Sequence, residues 1–105
     1  MDKFSLSKTE YPHEILDDIK TVESILLHHG ATKIIVYGSL ARGDFRPNSD
    51  IDICVQGIPD MQYFRAYAQC LMNIQRSVSI IDFRSLHGYL KERILEEGKI
   101  LYEAG

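Results

Sequence analysis

The sequence has few cysteines, no long apolar run and no excess of positive charge. Its two cysteines, Cys54 and Cys70, have no C-x-x-C neighbour, so a disulfide framework or a zinc site is not expected. Buried thiols in a reducing compartment fit this pattern better. The first residues form no apolar signal region, and no stretch approaches the length that spans a membrane. These absences predict a soluble, cytoplasmic protein with no membrane partner.

Charge and size narrow the class further. The formal net charge is -3 and the isoelectric point is about 5.7, which argues against a large nucleic-acid surface and against direct nucleic-acid binding. Nucleotides remain possible ligands because a metal ion can supply the positive charge. With 105 residues, of which 45% are hydrophobic, the chain is expected to form a single domain over 1–105. Residues 1–11 are polar and mixed, and they predict a loose arm.

Hydrophobic spacing predicts alternating helices and strands. A first helix should follow Pro12 and end near Gly30, with one apolar stripe formed by Ile15, Ile19, Val22 and Leu26. Strands are expected over 31–37, 50–55, 78–83 and 100–102, and further helices over 60–75 and 86–97. This order predicts an α/β fold, a small sandwich in which one mixed sheet packs with helices.

The predicted helix over 60–75 has two candidate faces. Asp60 is a candidate N-cap for it. Tyr63 and Tyr67 lie four residues apart on a flanking face, where they could stack on a base, meet a partner or, as aromatic pairs at this spacing usually do, pack at the edge of the core. Five apolar residues predict the apolar, buried face of this helix: Met61, Phe64, Ala68, Leu71 and Met72.

The central motif is a Gly-Ser turn followed, after ten residues, by two aspartates. An apolar strand runs into Gly38 and Ser39, where backbone N–H groups can approach a phosphate without an intervening Cβ. Asp50 and Asp52 then project from one face of the next strand. Two oxygen ligands on one face suit Mg²⁺, which also binds nucleotide phosphates. An isolated D-x-D would more simply be a solvated strand face, but the preceding turn favours a nucleotide site.

A third aspartate is a candidate member of this site. Asp82 lies near the end of the strand predicted over 78–83, among apolar residues. A carboxylate on an apolar strand costs stability unless it is paired, hydrogen-bonded or bound to a metal ion. If this strand lies beside the strand of Asp50 and Asp52, Asp82 completes a three-carboxylate site. The alternative is a residue at the strand end that caps a turn.

These residues together closely resemble the DNA polymerase β-like nucleotidyltransferase superfamily. The resemblance is carried by Gly38-Ser39, the ten-residue gap, Asp50-x-Asp52 and the later Asp82, and the short chain resembles the minimal nucleotidyltransferases, or MNT proteins, within that superfamily. Proteins of this kind are often antitoxins encoded beside a HEPN-domain toxin. The resemblance implies a polymerase β-like sandwich that moves AMP from ATP to a hydroxyl group.

The resemblance also implies roles for single residues. Gly38, Ser39, Arg42 and Ser49 would bind the nucleotide, although a surface salt bridge is an equally open role for Arg42. Asp50 and Asp52 would bind two Mg²⁺ ions. Asp82 would complete the metal site and help to deprotonate the attacking hydroxyl.

The acceptor and partner follow from the same resemblance. The expected acceptor is a tyrosine of a cognate HEPN toxin, so that the chain is an AMPylating antitoxin in a hetero-oligomer, with a homodimer also possible. Two alternatives stay open. The chain could mask a toxin sterically without catalysis, or it could transfer a nucleotide to a small molecule.

Overall fold

A computed structural model describes residues 5–104, whose helices pack on one four-stranded sheet. The order of elements agrees with the sequence prediction of an α/β sandwich. No helix in this part of the chain combines the length and apolar character needed to cross a membrane. The helices are α1 (His13–His28), α2 (Ser39–Arg42), α3 (Asp60–Asn73) and α4 (Gly88–Glu97), and the strands are β1 (Lys33–Tyr37), β2 (Ile51–Gln56), β3 (Val78–Asp82) and β4 (Lys99–Glu103).

The sheet is mixed, with the strand order β3-β2-β1-β4. Strands β1 and β2 pair antiparallel through the short connection that contains α2, and β4 pairs antiparallel with the other edge of β1. Strands β2 and β3 are parallel, so the chain must cross over between them, and α3 makes this crossover. The mixed sheet predicted from the sequence is confirmed.

Helix α1 forms as its spacing predicts. Pro12 precedes it with φ -57°, and the four residues of the predicted stripe are all buried. The chain leaves the helix through His29 into Gly30, whose φ of 102° ends the helix in a conformation that favours glycine.

The two faces of the sheet carry separate hydrophobic cores. Helices α1 and α3 cover the first face, on which Ile34, Val36, Ile53 and Val55 are buried. Helix α4 covers the second face, where Ile94 packs with β1 and β2 residues of the opposite side-chain parity: Ile35, Tyr37 and Cys54. Asp52 has the same strand parity as Cys54, so it belongs to the α4 face.

Helix α3 buries a different face from the one predicted. Met61, Phe64, Leu71 and Met72 are 85%, 77%, 55% and 80% exposed, and Ala68 is also exposed. The buried residues of the helix are Ala66 and Cys70, with Tyr63 and Tyr67 packed against the same core.

The two tyrosines explain this orientation. The hydroxyls of Tyr63 and Tyr67 donate hydrogen bonds to the backbone carbonyls of Ile80 and Val78 in β3. Each ring therefore lies against the core while its polar tip is satisfied at the sheet edge. The prediction that these tyrosines pack at the core edge is confirmed, and Asp60 is the first helical residue rather than the N-cap, which is Pro59.

The segment before α1 differs from the predicted loose arm over its described part. The Leu6 N–H donates to the Ile100 carbonyl at 2.9 Å, which attaches residues 5 and 6 to the edge of β4. A 3₁₀ turn follows at Lys8–Glu10, and the Tyr11 hydroxyl donates to the Leu40 carbonyl at 2.6 Å. Backbone pairing and the packing of one partly buried aromatic ring thus outweigh the polar composition. Residues 1–4 of the predicted arm lie outside the described residues.

The last helix also begins later than predicted. Residues Phe83–Ser85 form a 3₁₀ turn, and α4 starts at Gly88 rather than Leu86. Ile94 is buried and Leu90 packs beside it, whereas Leu95 is 62% exposed.

A matched pair of alanines tests the orientation of α3. Ala66 is 1% exposed, whereas Ala68 on the same helix faces solvent. We expect Ala66→Leu to lower the free energy of unfolding by about 1–3 kcal/mol because the added volume overpacks the core. Ala68→Leu should change it by less than about 0.5 kcal/mol. Urea unfolding at 25 °C measures both values, and a larger loss for Ala68→Leu would contradict the observed orientation.

Candidate active site

The site is built on the sharp turn that joins β1 to α2. Gly38 has φ 74° and ψ -154°, a backbone conformation that is essentially restricted to glycine. A Cβ at this position would lie 2.4 Å from Oδ2 of Asp52. The register of the sheet causes this approach, because Tyr37, just before the turn, pairs directly with Asp52 of β2. The turn therefore places backbone against a carboxylate with no room for a side chain.

Helix α2 is a single helical turn that follows Gly38 directly. The N–H groups of Ala41 and Arg42 donate to the Gly38 carbonyl at 3.1 and 3.0 Å. Gly43 ends the turn with φ 92°, in the left-handed region. This short turn directs the exposed Arg42 back toward the Gly38 turn, where Nη1 of Arg42 lies 3.3 Å from a carboxylate oxygen of Glu97.

Asp50 and Asp52 form a close pair at the start of β2. Asp50 is exposed and immediately precedes the strand, whereas Asp52 is half-buried beside Gly38. The pKa of Asp52 is raised, first by burial and then by the negative charge of Asp50, although Arg93 and Arg42 oppose this rise. Two carboxylates that repel each other in this way favour a cation between them. Their oxygen donors fit one divalent ion such as Mg²⁺.

Asp82 does not join this pair. In the parallel pairing of β2 with β3, Asp82 aligns with Val55, and the residue beside Asp52 is Ser79. Asp82 therefore lies three residues further along the sheet and on its other face. Its carboxylate accepts hydrogen bonds from the backbone and side chain of Arg84, which lower its pKa.

The prediction of Asp82 as a third metal ligand is therefore corrected to the turn-capping alternative. The 3₁₀ turn that follows β3 begins at its carboxylate. Among residues 5–104, no group of three or more His, Cys, Asp or Glu side chains is arranged to hold a metal ion. The donor set thus fits an ion at Asp50 and Asp52, but it does not include the third carboxylate expected for a two-ion site.

Ser79 occupies the strand position that a third carboxylate would need. Ser79 and Tyr37 share the α4 face with Asp52, and the Ser79 side chain acts to lower the pKa of the Tyr37 hydroxyl. Burial, followed by the charge of Asp52, raises the pKa of Tyr37 to about 12, so this hydroxyl stays protonated at neutral pH. The neighbours of Asp52 on β1 and β3 are therefore neutral hydroxyl groups.

Helix α4 contributes two charged residues that the sequence analysis did not find. Glu97 accepts a hydrogen bond from the Gly38 N–H at 3.2 Å, and Arg93 lies one helical turn earlier, 3.2 Å from Glu97. Both side chains act electrostatically on Asp52. The only signal in the sequence is the i, i+4 spacing of Arg93 and Glu97, which is also common on solvated helix faces.

The two serines predicted to bind nucleotide lie in different parts of the site, Ser39 at the Gly38 turn and Ser49 in the loop before β2. Ser39 is the first residue of α2 and directly follows Gly38. The Ser49 hydroxyl accepts a hydrogen bond from the Arg46 N–H at 2.7 Å, and the Ser49 carbonyl accepts one from Arg76. Ser49 thus closes the loop between α2 and β2, and its predicted contact with nucleotide stays a prediction.

Comparison with known proteins decides the family. Residues 20–105 match the family described as polymerase beta, nucleotidyltransferase. The chain belongs to this nucleotidyltransferase family. A Methanocaldococcus jannaschii relative named "Putative protein adenylyltransferase MJ0435" is 34% identical over 76 residues, which cover 70% of this chain and 82% of the relative. A second protein of that organism, "Putative protein adenylyltransferase MJ0604", is 33% identical over 78 residues, covering 67% and 77% of the two chains.

Solved structures agree with the nucleotidyltransferase fold. A structure named "Structure of putative minimal nucleotidyltransferase" superposes with a TM-score of 0.64 and 29% identity, covering 80% of this chain and 89% of that one. A crystal structure of a toxin–antitoxin with AMP-PNP gives a TM-score of 0.67 at 22% identity, with coverage of 89% and 75%. The predicted polymerase β-like sandwich and minimal nucleotidyltransferase resemblance are confirmed.

Two glycines of this nucleotidyltransferase test the Gly38 contact. Gly38 and Gly43 both have positive φ, but a Cβ would meet Asp52 only at Gly38, since nothing lies within 4 Å at Gly43. Both alanine variants should lose about 1–2 kcal/mol of stability through backbone strain. Gly38→Ala should in addition displace Asp52 and weaken Mg²⁺-dependent ATP binding, measured by calorimetry. Equal ATP binding by the two variants would show that the close approach of Gly38 to Asp52 does not affect the nucleotide site.

Two aspartates on opposite faces of the sheet test the metal assignment. We expect Asp52→Asn to weaken Mg²⁺-dependent ATP binding by about tenfold or more, because a charged oxygen ligand is lost. Asp82→Asn should leave binding unchanged, since Asp82 is engaged with Arg84. Titration of each variant with ATP at fixed Mg²⁺ gives the comparison. A similar loss of ATP affinity in Asp82→Asn would show that Asp82 is a metal ligand after all.

Proposed function

We propose that this nucleotidyltransferase is a cytoplasmic antitoxin that moves AMP from ATP to a tyrosine of a cognate HEPN-domain toxin. The observation that carries the proposal is the Gly38 turn held against Asp52, with Asp50 beside it. Such a site presents backbone N–H groups for phosphate and carboxylates for a divalent ion within a few ångströms. The names of the two archaeal relatives as protein adenylyltransferases support a protein acceptor.

The partner is suggested by the structural neighbours. One of them is a tri-AMPylated Shewanella oneidensis HEPN toxin in complex with an MNT antitoxin, which superposes with a TM-score of 0.64 at 20% identity. At this identity the likeness concerns the fold alone. Together with the confirmed family, it supports a HEPN protein as the first acceptor to test.

The proposed reaction is the attack of a tyrosine hydroxyl on the α-phosphate of ATP. A bond forms between the tyrosine oxygen and the α-phosphorus, the bond to the β-phosphate oxygen breaks, and pyrophosphate leaves with its electron pair. The hydroxyl proton is released to solvent in this scheme. Asp82, which the resemblance implied as a helper in removing it, lies on the other face of the sheet and takes no part.

The protein would contribute position and charge. Gly38, Ser39 and Arg42 would hold the triphosphate, and Asp50 and Asp52 would hold Mg²⁺. The bound ion would neutralise phosphate oxygens and stabilise the leaving pyrophosphate. The half-buried position of Asp52 fixes its carboxylate while Asp50 remains open to solvent, so the phosphates can approach from the exposed side.

A non-catalytic antitoxin is the second candidate. It is favoured by the apolar side chains of α3 that remain exposed, above all Met61, Phe64 and Met72. Exposed apolar residues grouped on one helix are typical of a surface that a partner covers. This helix packs on the sheet face opposite Asp52, so masking by this surface would not need the aspartates.

One experiment separates the two candidates. The protein is incubated with Mg²⁺, ATP labelled at the α-phosphate and a HEPN-domain protein from the same organism. Label should appear on a tyrosine of the HEPN protein, and Asp52→Ala should reduce the rate by about 100-fold or more, since metal binding supplies several kcal/mol. Asp17→Ala is the control, because Asp17 is an exposed aspartate on α1.

The pattern of label and complex formation decides the outcome. ATP labelled at the γ-phosphate should leave the toxin unlabelled, because that phosphate departs with pyrophosphate. The enzymatic proposal would be refuted if the two proteins form a tight complex without transfer of AMP and the Asp52→Ala variant still protects cells fully from the toxin. That result would establish masking.

A further inference from the structure

The Glu97 carboxylate sits where three separate donors converge. It accepts from the Gly38 N–H at 3.2 Å, from Arg42 at 3.3 and 3.4 Å, and from Arg93 at 3.2 Å. The donors come from the β1–α2 turn, from α2 and from α4. The Glu97 side chain is 19% exposed, so the carboxylate is largely enclosed by these groups.

The carboxylate fits this set of donors loosely. Charge-assisted hydrogen bonds between guanidinium and carboxylate groups are typically about 2.7–2.9 Å long. The Arg76–Asp18 pair of the same molecule reaches 2.7 Å, whereas the hydrogen bonds of Glu97 to these three donors are 3.2 to 3.4 Å long. Two guanidinium groups and one backbone N–H also offer more donors than one planar carboxylate can use. A tetrahedral phosphate, which has more oxygens, would satisfy them better.

The same donors lie beside the proposed metal ligands. The Gly38 turn touches both groups, since its N–H donates to Glu97 and a Cβ on Gly38 would lie 2.4 Å from Oδ2 of Asp52. Arg93, Arg42 and Glu97 all act electrostatically on Asp52. A phosphate in the place of the Glu97 carboxylate would contact the Gly38 turn and lie near an ion bound by Asp50 and Asp52.

Glu97 can leave this position without a change in the fold. It is the last residue of α4, and its side chain is held by these three donors. The backbone next to it is fixed, because Gly98 packs so closely against Ile94 and Ile35 that a Cβ would lie 2.5 Å and 2.7 Å from their atoms. Release therefore requires rotation of one side chain and no movement of the helix.

We propose that Glu97 occupies a phosphate position of the nucleotide in the free protein and leaves when the triphosphate binds. Arg42 and Arg93 then bind phosphate oxygens, which makes Arg93 a further nucleotide-binding residue. This inference rests on the proposed function, because it assigns the ligand of the same site. The opposing interpretation is that Glu97 stays in place and only positions the two arginines.

The test compares Glu97→Gln with Glu96→Gln. Glutamine keeps the size of Glu97 and removes its charge, and Glu96 is its exposed neighbour on α4. If Glu97 competes with phosphate, Glu97→Gln should bind Mg²⁺–ATP about tenfold more tightly than the natural protein, as expected when a charged competitor is removed. Glu96→Gln should bind as the natural protein does. Calorimetry measures both, and circular dichroism confirms that the variants are folded.

Inorganic tripolyphosphate serves as a second probe, because it carries the charges of ATP without the nucleoside. If Glu97→Gln gains the same affinity for tripolyphosphate as for ATP, Glu97 competes with the phosphates of the ligand. Equal or weaker binding of both ligands by Glu97→Gln would overturn the proposal and favour the positioning role. Arg93→Ala should weaken the binding of both Mg²⁺–ATP and tripolyphosphate. Unchanged binding in that variant would also contradict the proposal.

These results are independent of the acceptor. If Glu97→Gln gains affinity while no HEPN protein is labelled, the Glu97 inference stands and the proposed acceptor is wrong. If neither the natural protein nor any variant binds Mg²⁺–ATP or tripolyphosphate, the Glu97 inference is wrong as well.

Discussion

The contact between Gly38 and Asp52 constrains the rest of the site. Antiparallel pairing of β1 with β2 brings the end of one strand against the start of the other, and only a residue without a Cβ fits between them. Asp52 is consequently half-buried, which raises its pKa and makes nearby positive charge favourable. Arg42 and Arg93 provide that charge from two helices. The turn, the aspartate and the arginines therefore depend on one pairing register.

Features set by nearby residues could be predicted from the sequence. The apolar spacing of α1, the continuous apolar run of β1 and the glycine that ends α2 all act within a few residues, and the structure agrees with each. The motif of Gly38-Ser39 followed by Asp50 and Asp52 was also visible in the sequence, and the structure places Gly38 against Asp52. The family resemblance rested on these same residues.

Features set by the pairing of distant segments could not be predicted in this way. Asp82 was expected beside Asp52, but the parallel register of β2 and β3 places Ser79 there instead, and no local pattern encodes that register. The buried face of α3 was misassigned because hydrophobicity ranks Met61 and Phe64 above Tyr63, whereas the tyrosine hydroxyl finds a carbonyl in β3. Glu97 reaches Gly38 across 59 positions of sequence, so only the folded chain reveals the contact.

The two cysteines give each layer of the molecule its own chemical probe. Cys54 is buried on the sheet face under α4, and Cys70 is buried on the inner side of α3. Burial raises the pKa of Cys54 to about 12 and that of Cys70 to about 11, so both remain unreactive thiols at neutral pH while the structure is closed. Alkylation of Cys54 therefore times the opening of the α4 layer, and alkylation of Cys70 times the detachment of α3. Two thiol labelling rates can thus show whether the two sides of the sheet unfold together or separately.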